Sequence, residues 1–185
     1  MRIIAGQFRG RMLSAPAGLR LRPTSDALRE TLFNILGPAV AGSVFVDACA
    51  GTGAVGIEAL SRGAAEVVFI EAAGTALAAL RGNLRRLGLP AHPVLAGRVP
   101  AAFGAIPRAA DFLFLDPPYA AEALYARALE AIGNGGAALT ASGQVIVEHA
   151  RRRDLAAAYG RLRRKRAVTQ GDSQLSFFYL GDGPR

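Results

Sequence analysis

Ser43-Val44-Phe45-Val46-Asp47-Ala48-Cys49-Ala50-Gly51-Thr52-Gly53-Ala54-Val55-Gly56 is the stretch whose reading decides the fold. The apolar run through Ala48 predicts a buried strand, the glycine-rich turn 50–53 interrupts it, and a helix follows from about Ala54 to Ser61, stopped by Arg62-Gly63. The same alternation continues downstream. Strands are predicted at Glu66–Glu71, His92–Ala96, Asp111–Asp116 and Gln144–His149, with helices over Ala76–Leu87, Ala120–Ile132 and roughly 151–159. Two further strand-like pieces span 162–169 and 173–180, and Gly133-Asn134-Gly135-Gly136 reads as a turn. Strands alternating with helices imply an α/β fold, a mostly parallel sheet with helices on both faces. Residues 1–40 break this rhythm. Ile3–Leu13 reads as a short hairpin, and Thr24-Ser25-Asp26 offers cap chemistry for a helix over Asp26–Leu36. The expected organisation is a hairpin-plus-helix appendage over 1–40 beside a sheet domain over 41–185.

The 185 residues suit one domain with a sizeable core. No uninterrupted apolar run reaches eighteen residues, and the first nine residues lack a signal-peptide pattern. With a single cysteine, Cys49, no internal disulfide can form, so a cytoplasmic protein is expected, without membrane contact. The net charge of +8 is unevenly spread. Residues 1–29 hold six Arg against one acid, and residues 151–166 hold seven Arg and one Lys against Asp154. The remainder is mildly acidic. Basic ends suit a polyanion, because clustered cations gain affinity by releasing phosphate counterions; the plain alternative is a solvated, solubilising surface.

Two motifs carry chemistry. Gly51, Gly53 and Gly56 complete G-x-G-x-x-G between strand and helix, with Glu71 closing the next strand where an acid meets ribose hydroxyls. That much serves a dinucleotide equally well. Asp47, four residues before Gly51, separates the two: a carboxylate at the strand tip repels a pyrophosphate but suits an ammonium and a sulfonium. S-adenosylmethionine carries both and has no phosphate. The second motif, Asp116-Pro117-Pro118-Tyr119, ends a buried strand. The prolines stop the ladder and stiffen the turn, so that the Asp116 side chain and the Pro117 carbonyl can face a cleft. An exocyclic amino group is a poor nucleophile, and two acceptors on its hydrogens hold its nitrogen in line with a methyl donor. Tyr119 can stack on the base. In an open α/β sheet both strand ends border one crevice.

With these motifs the chain resembles the class I methyltransferases acting on amino nitrogens. More narrowly, it is similar to the RsmD-type bacterial 16S ribosomal RNA guanine-N2 methyltransferases. The closer likeness rests on Arg2–Gly6, Arg22–Asp26, Arg29–Asn34, Gly56–Ala64 and Gly171–Ser173, and it covers essentially the whole chain. It implies a Rossmann-like, seven-stranded sheet ending in an antiparallel hairpin, S-adenosylmethionine as donor, and 16S rRNA or an assembling 30S subunit as partner, met by the basic segments. A monomer is expected. Carried over by position, Asp47, Ala48, Cys49, Ala50, Gly51 and Gly53 cradle the methionine part, and Glu71 takes the ribose hydroxyls. Asp116, Pro117, Pro118 and Tyr119 hold the guanine, while Thr24 and Arg29 close the cofactor site. The chain departs from the family in having Cys49 where an aromatic is usual and Ala72-Ala73 after Glu71. It also has Ala96-Gly97-Arg98 where many relatives carry an acid for adenine, so backbone contacts of Gly97 and Arg98 are expected there.

Cys49 reads as inert packing, His92 as surface, and His149 as a strand end without a second ligand, so no metal is assigned. The rivals are an adenine-N6 DNA methyltransferase, a protein-glutamine methyltransferase, a nicotinamide-dependent oxidoreductase and a catalytically silent RNA-binding module. The glutamine enzyme usually has Asn in place of Asp116, and the oxidoreductase leaves Asp47 and Asp116–Tyr119 without a job.

Overall fold

The computed structural model describes residues 1–15, 25–89, 91–118 and 121–181. The first helix, α1, spans Asp26–Leu36 as expected, and the Ser25 hydroxyl accepts the Leu28 N–H at 3.1 Å to cap it. After a 3-10 turn over Gly37–Val40 come β1 (Val44–Ala48), α2 (Ala54–Ser61), β2 (Glu66–Glu71), α3 (Gly74–Arg86) and β3 (Val94–Ala96). A 3-10 turn over Ala101–Ala105 precedes β4 (Ala110–Leu115), α4 (Glu122–Gly133) and β5 (Leu139–Ala150). The chain ends in β6 (Ala158–Tyr159), β7 (Leu162–Gln170) and β8 (Ser173–Leu180). These strands form one sheet in the order β3-β2-β1-β4-β5-β8-β7-β6. The first five run parallel, while β8, β7 and β6 are antiparallel to their neighbours.

Both faces are covered. Leu28, Leu32 and Phe33 of α1, Ile57 and Leu60 of α2, and Leu80 and Leu84 of α3 pack on one face over Phe45, Phe112 and Phe114. Tyr125, Leu129 and Ile132 of α4, with Phe103, pack on the other over Val46, Leu113 and Val145. The chain moves outward from β1 to β2 and β3, then returns to the other side at β4. The β1–β4 boundary is therefore a topological switch point, where open α/β sheets place their ligands.

Three local expectations are corrected. The hairpin over Ile3–Leu13 forms without regular strands: Ile3 N–H donates to the Arg11 carbonyl, Gly10 N–H to Ile3 and Leu13 N–H to Met1 around one bridge, Arg2 to Met12. Its other donors are engaged by α2: Glu58 accepts the N–H groups of Ile4 and Ala5 at 2.8 and 2.9 Å, and Ser61 binds Gln7 and Phe8. Gly6 makes this contact possible, since a Cβ there would sit 1.7 Å from the Ser61 carbonyl oxygen. Second, residues 151–157 are not helical. Arg151 N–H donates to Asp172 and Arg164 N–H to the Ala157 carbonyl, so sheet and turn contacts outweigh the helical propensity of the alanines. Third, the sheet has eight strands instead of seven, because the end of that segment becomes the two-residue β6.

The N-terminal segment, α1 and α2 meet at a dry ion cluster. Arg29 and Glu58 are both fully buried, with Nε and carboxylate oxygen 3.8 Å apart. Arg29 also donates to Asp26 at 2.9 Å and to the Arg2 carbonyl at 2.6 Å. Glu58 binds Arg62 at 2.9 Å. Burial lowers the pKa of Arg29, opposed by the charges of Glu58 and Asp26. Removing Glu58 leaves the buried Arg29 with the half-exposed Asp26 as its remaining counter-charge, and frees the N–H groups of Ile4 and Ala5. Glu58→Ala is expected to lose about 3–5 kcal/mol of stability in urea denaturation; a loss below about 1 kcal/mol contradicts this assignment.

Candidate active site

The site is built at the carboxyl ends of β1, β2, β4 and β5. Residues alternate across a strand, so Phe45 and Asp47 of β1 share one face with Phe112 and Phe114 of β4. Asp47 is the last of its row, 2% exposed, and its Oδ2 accepts the Gly56 N–H at 2.8 Å. Gly56 can approach because it has no side chain: a Cβ would lie 2.4 Å from the Phe69 ring. Burial pushes the Asp47 carboxyl up to about 7; the Glu71 charge adds to the rise and the Gly56 N–H opposes it.

Between Asp47 and α2 the chain turns sharply, with Cys49, Gly51 and Gly53 at φ 68°, 57° and 84°. Glu71 holds this turn, its Oε2 accepting the Gly51 N–H at 2.7 Å. Its Oε1 accepts the N–H groups of Ala72 and Ala73 at 2.8 and 2.7 Å. Gly53 N–H donates to the Ala50 carbonyl. The loop N–H groups of Gly51, Gly53 and Gly56 are thus all engaged within the protein, Gly51 and Gly56 by carboxylates. Those three donors are therefore not offered to a phosphate.

A cleft of about 710 Å³ lies over this region. Asp47, Cys49, Ala50 and Gly51 line it from the first loop, Glu71 from β2, Gly97 and Arg98 from beyond β3, and Asp116, Pro117 and Pro118 from the end of β4. Asp47 and Asp116 therefore open onto the same space. Ala48 and Gly53 lie beneath it: Ala48 is packed in the opposite-face core, and Gly53 caps α2 against Leu80. Arg29 does not line the cleft, being held in the ion cluster with Glu58 and Asp26. Thr24 and Tyr119 lie outside the described residues.

The reading from sequence missed one residue beneath the cleft and one that lines it. Tyr125 of α4 donates its hydroxyl to the Pro117 carbonyl at 3.1 Å from within the core, fixing the peptide that follows Asp116 while leaving that oxygen one lone pair. Glu148 of β5 lines the cleft and is 2% exposed. Its signal is an acid near the end of an apolar strand, as at Asp47, Glu71 and Asp116, but which face of the strand meets the cleft is fixed only by packing of the sheet. Cys49 sits among Asp116, Glu71 and Asp47. Burial first, then those charges, push its thiol pKa far up, which keeps it protonated and unreactive. His149 is fully buried with its ring nitrogens bonded to Ser176 and the Ala150 carbonyl, and burial lowers its pKa. Among the described residues no three His, Cys, Asp or Glu side chains group as metal ligands.

The family profile described as "Conserved hypothetical protein 95" matches residues 1–179. The "Putative rRNA methyltransferase YlbH" of Bacillus subtilis is 37% identical over 177 residues, covering 92% of this chain and 94% of that one. The chain belongs to the RsmD family of class I methyltransferases. The family's "Ribosomal RNA small subunit methyltransferase D" of Escherichia coli is 40% identical over 119 residues, 64% of this chain and 60% of that protein. Among solved structures, the "Putative methyltransferase yhhF" of Escherichia coli superposes with a TM-score of 0.81 at 30% identity, covering 98% of both chains. The RsmD-family match includes the N-terminal segment and the antiparallel hairpin as well as the glycine loop.

Because the Asp47 pKa in the folded chain lies above its ordinary value of 3.8, its ionised form is disfavoured by folding. Its contribution is most favourable below pH 4 and is lost as pH rises to about 7. Asp47→Asn, which can still accept the Gly56 N–H, is expected to melt above the wild type at pH 8, with the advantage vanishing near pH 4. A constant difference at both pH values in thermal unfolding contradicts this.

Proposed function

We propose that the chain transfers a methyl group from S-adenosylmethionine to the N2 amino group of a guanine in small-subunit ribosomal RNA. The observation that carries this reading is that Asp47 and Asp116, from neighbouring parallel strands, open onto one cleft at the switch point. The named activities of the RsmD-family relatives support the substrate class. No helix among the described residues is long and apolar enough to cross a membrane.

The residues suit the donor. A buried carboxyl that resists ionising alone is stabilised as the anion by an incoming ammonium group, whereas a pyrophosphate would be repelled by the acids at these strand tips. This favours the methyl donor over a nicotinamide dinucleotide. Glu71 keeps acceptor capacity for ribose hydroxyls beyond its three backbone contacts, and Gly97 and Arg98 border the adenine end. When bound, S-adenosylmethionine supplies an electrophilic methyl group on a sulfonium.

Asp116 and the remaining lone pair of the Pro117 carbonyl accept the amino hydrogens and aim the nitrogen at that carbon. The N–C bond forms as the S–C bond breaks, S-adenosylhomocysteine leaves, and the acidic methylated amino cation sheds its proton to water or Asp116. Orientation matters more here than basicity. The base must leave its stack to enter, which costs least from a loop. Arg151, Arg152 and Arg153 follow directly on β5 at the cleft-bearing edge, where they can meet phosphates around the target, whereas Arg163–Arg166 are level through β8 with Gln144–Ile146, toward the other end of the sheet.

Asp116→Ala is expected to lower tritiated methyl transfer into undermodified small subunits by about a hundredfold or more. Calorimetric affinity for S-adenosylmethionine should stay within a few-fold; full turnover in the variant refutes the role. Nucleoside mass spectrometry of the product separates guanine N2 from adenine N6. Independently, engagement of Asp47 by the ammonium group should release a proton near neutrality. Affinity for S-adenosylmethionine should therefore rise from pH 6 to pH 8, with a binding heat that varies with the ionisation enthalpy of the buffer. A flat profile removes Asp47 from cation binding.

A further inference from the structure

Glu148 is a fourth acidic side chain in the cleft, beside Asp47, Glu71 and Asp116, and the methyl-transfer chemistry leaves its position unexplained. The last registered pair between β4 and β5 is Leu115 with Val147, and Asp116 and Glu148 each follow by one residue. On neighbouring parallel strands they stand side by side, about 5 Å apart at the backbone. Phe114 and Ile146, two residues earlier on each strand, belong to the same core cluster, so Asp116 and Glu148 continue one sheet face. Both line the cleft, and Glu148 is nearly sealed from bulk water. A carboxylate in so dry a place discriminates strongly between a partner that donates and one that presents a lone pair.

The base edges differ in this respect. Two ring nitrogens flank the guanine N2 amino group: N1 carries a hydrogen and N3 a lone pair. In adenine and cytosine the single ring nitrogen beside the amino group has a bare lone pair. An acceptor adjacent to the one gripping the amino group therefore welcomes guanine turned with its N1 side toward it, and finds no such donor on the ring of the other two. We infer that Glu148 reads the guanine N1–H, so that the Asp116–Glu148 pair selects guanine over adenine and cytosine at the methylated position. This rests on the methyl-transfer reading above and adds to it the group that sets base identity.

The test compares small-subunit RNA carrying guanine or 2-aminopurine at the mapped target. 2-Aminopurine keeps the reactive amino group but has a lone pair at N1. The wild-type protein should methylate guanine about tenfold to a hundredfold faster than 2-aminopurine. Glu148→Gln, whose amide can donate to a bare nitrogen, should bring the two rates together, with calorimetric binding of S-adenosylmethionine confirming that it is folded. If that variant does not fold, Glu148→Asp, which withdraws the charge by one methylene, should show a falling guanine rate with 2-aminopurine little changed. Equal wild-type rates on the two bases, or an undiminished preference in the folded variant, overturn the role of Glu148 while leaving methyl transfer standing. Absence of methylation on any guanine-bearing RNA overturns the underlying reading and this inference with it.

Discussion

The bond from Gly56 N–H to the Asp47 carboxylate, 2.8 Å long and shut away from water, is the constraint on which the site depends. It ties the end of β1 to the first turn of α2 across the glycine loop, and Glu71 makes the parallel tie from β2 through Gly51. The loop is therefore shaped by carboxyl oxygens inside the protein, one on Gly51 and one on Gly56. The consequence is a pocket with negative character at its floor, complementary to a cation. Gly53 and Gly56 are required because side chains at either position would collide with Leu80 or Phe69, and the loop would lift away from the sheet.

A second set of buried charges serves a different purpose. Glu58, on the far side of α2 from this loop, binds the N-terminal backbone at Ile4 and Ala5 and the guanidinium groups of Arg29 and Arg62. The amino-terminal segment and α1 are thereby joined to the same helix that Asp47 caps from the other end, and their apolar side chains enter the core cluster of β1 and β4. Burying ions is costly, and cores without them are often as stable. What the cluster adds is position: Met1, carried by the clamped segment, lines the cleft.

Much of this was legible in the residues. The strand Glu66–Glu71 and the helices Asp26–Leu36 and Ala54–Ser61 have the predicted bounds, because their periodicity, caps and stops agree with one another. Segments whose local signals lacked a packing partner were misread. The alanines after Arg153 favour a helix in isolation, yet α4 already covers that face of the sheet, and the backbone there is held by β7 and Asp172. The N-terminal hairpin pattern is real, but the donors of Ile4, Ala5, Gln7 and Phe8 go to Glu58 and Ser61, which no local rule could locate. Arg29 was drawn toward the cofactor by resemblance and lies instead in the ion cluster.

By itself the sequence determined the layered α/β architecture, the glycine turn and the chemical types at the strand tips, because these follow from short-range periodicity and from what each residue can donate or accept. Only the tertiary structure decided which strand tips are neighbours. Strand order places β4 beside β1 and β5 beside β4, bringing Asp47, Asp116 and Glu148 from positions up to a hundred residues apart onto one face. It also decided protonation: Asp47 is unlike an ordinary carboxylate because of the dry surroundings that packing supplies, and desolvation is a property of the whole fold, not of any segment of it.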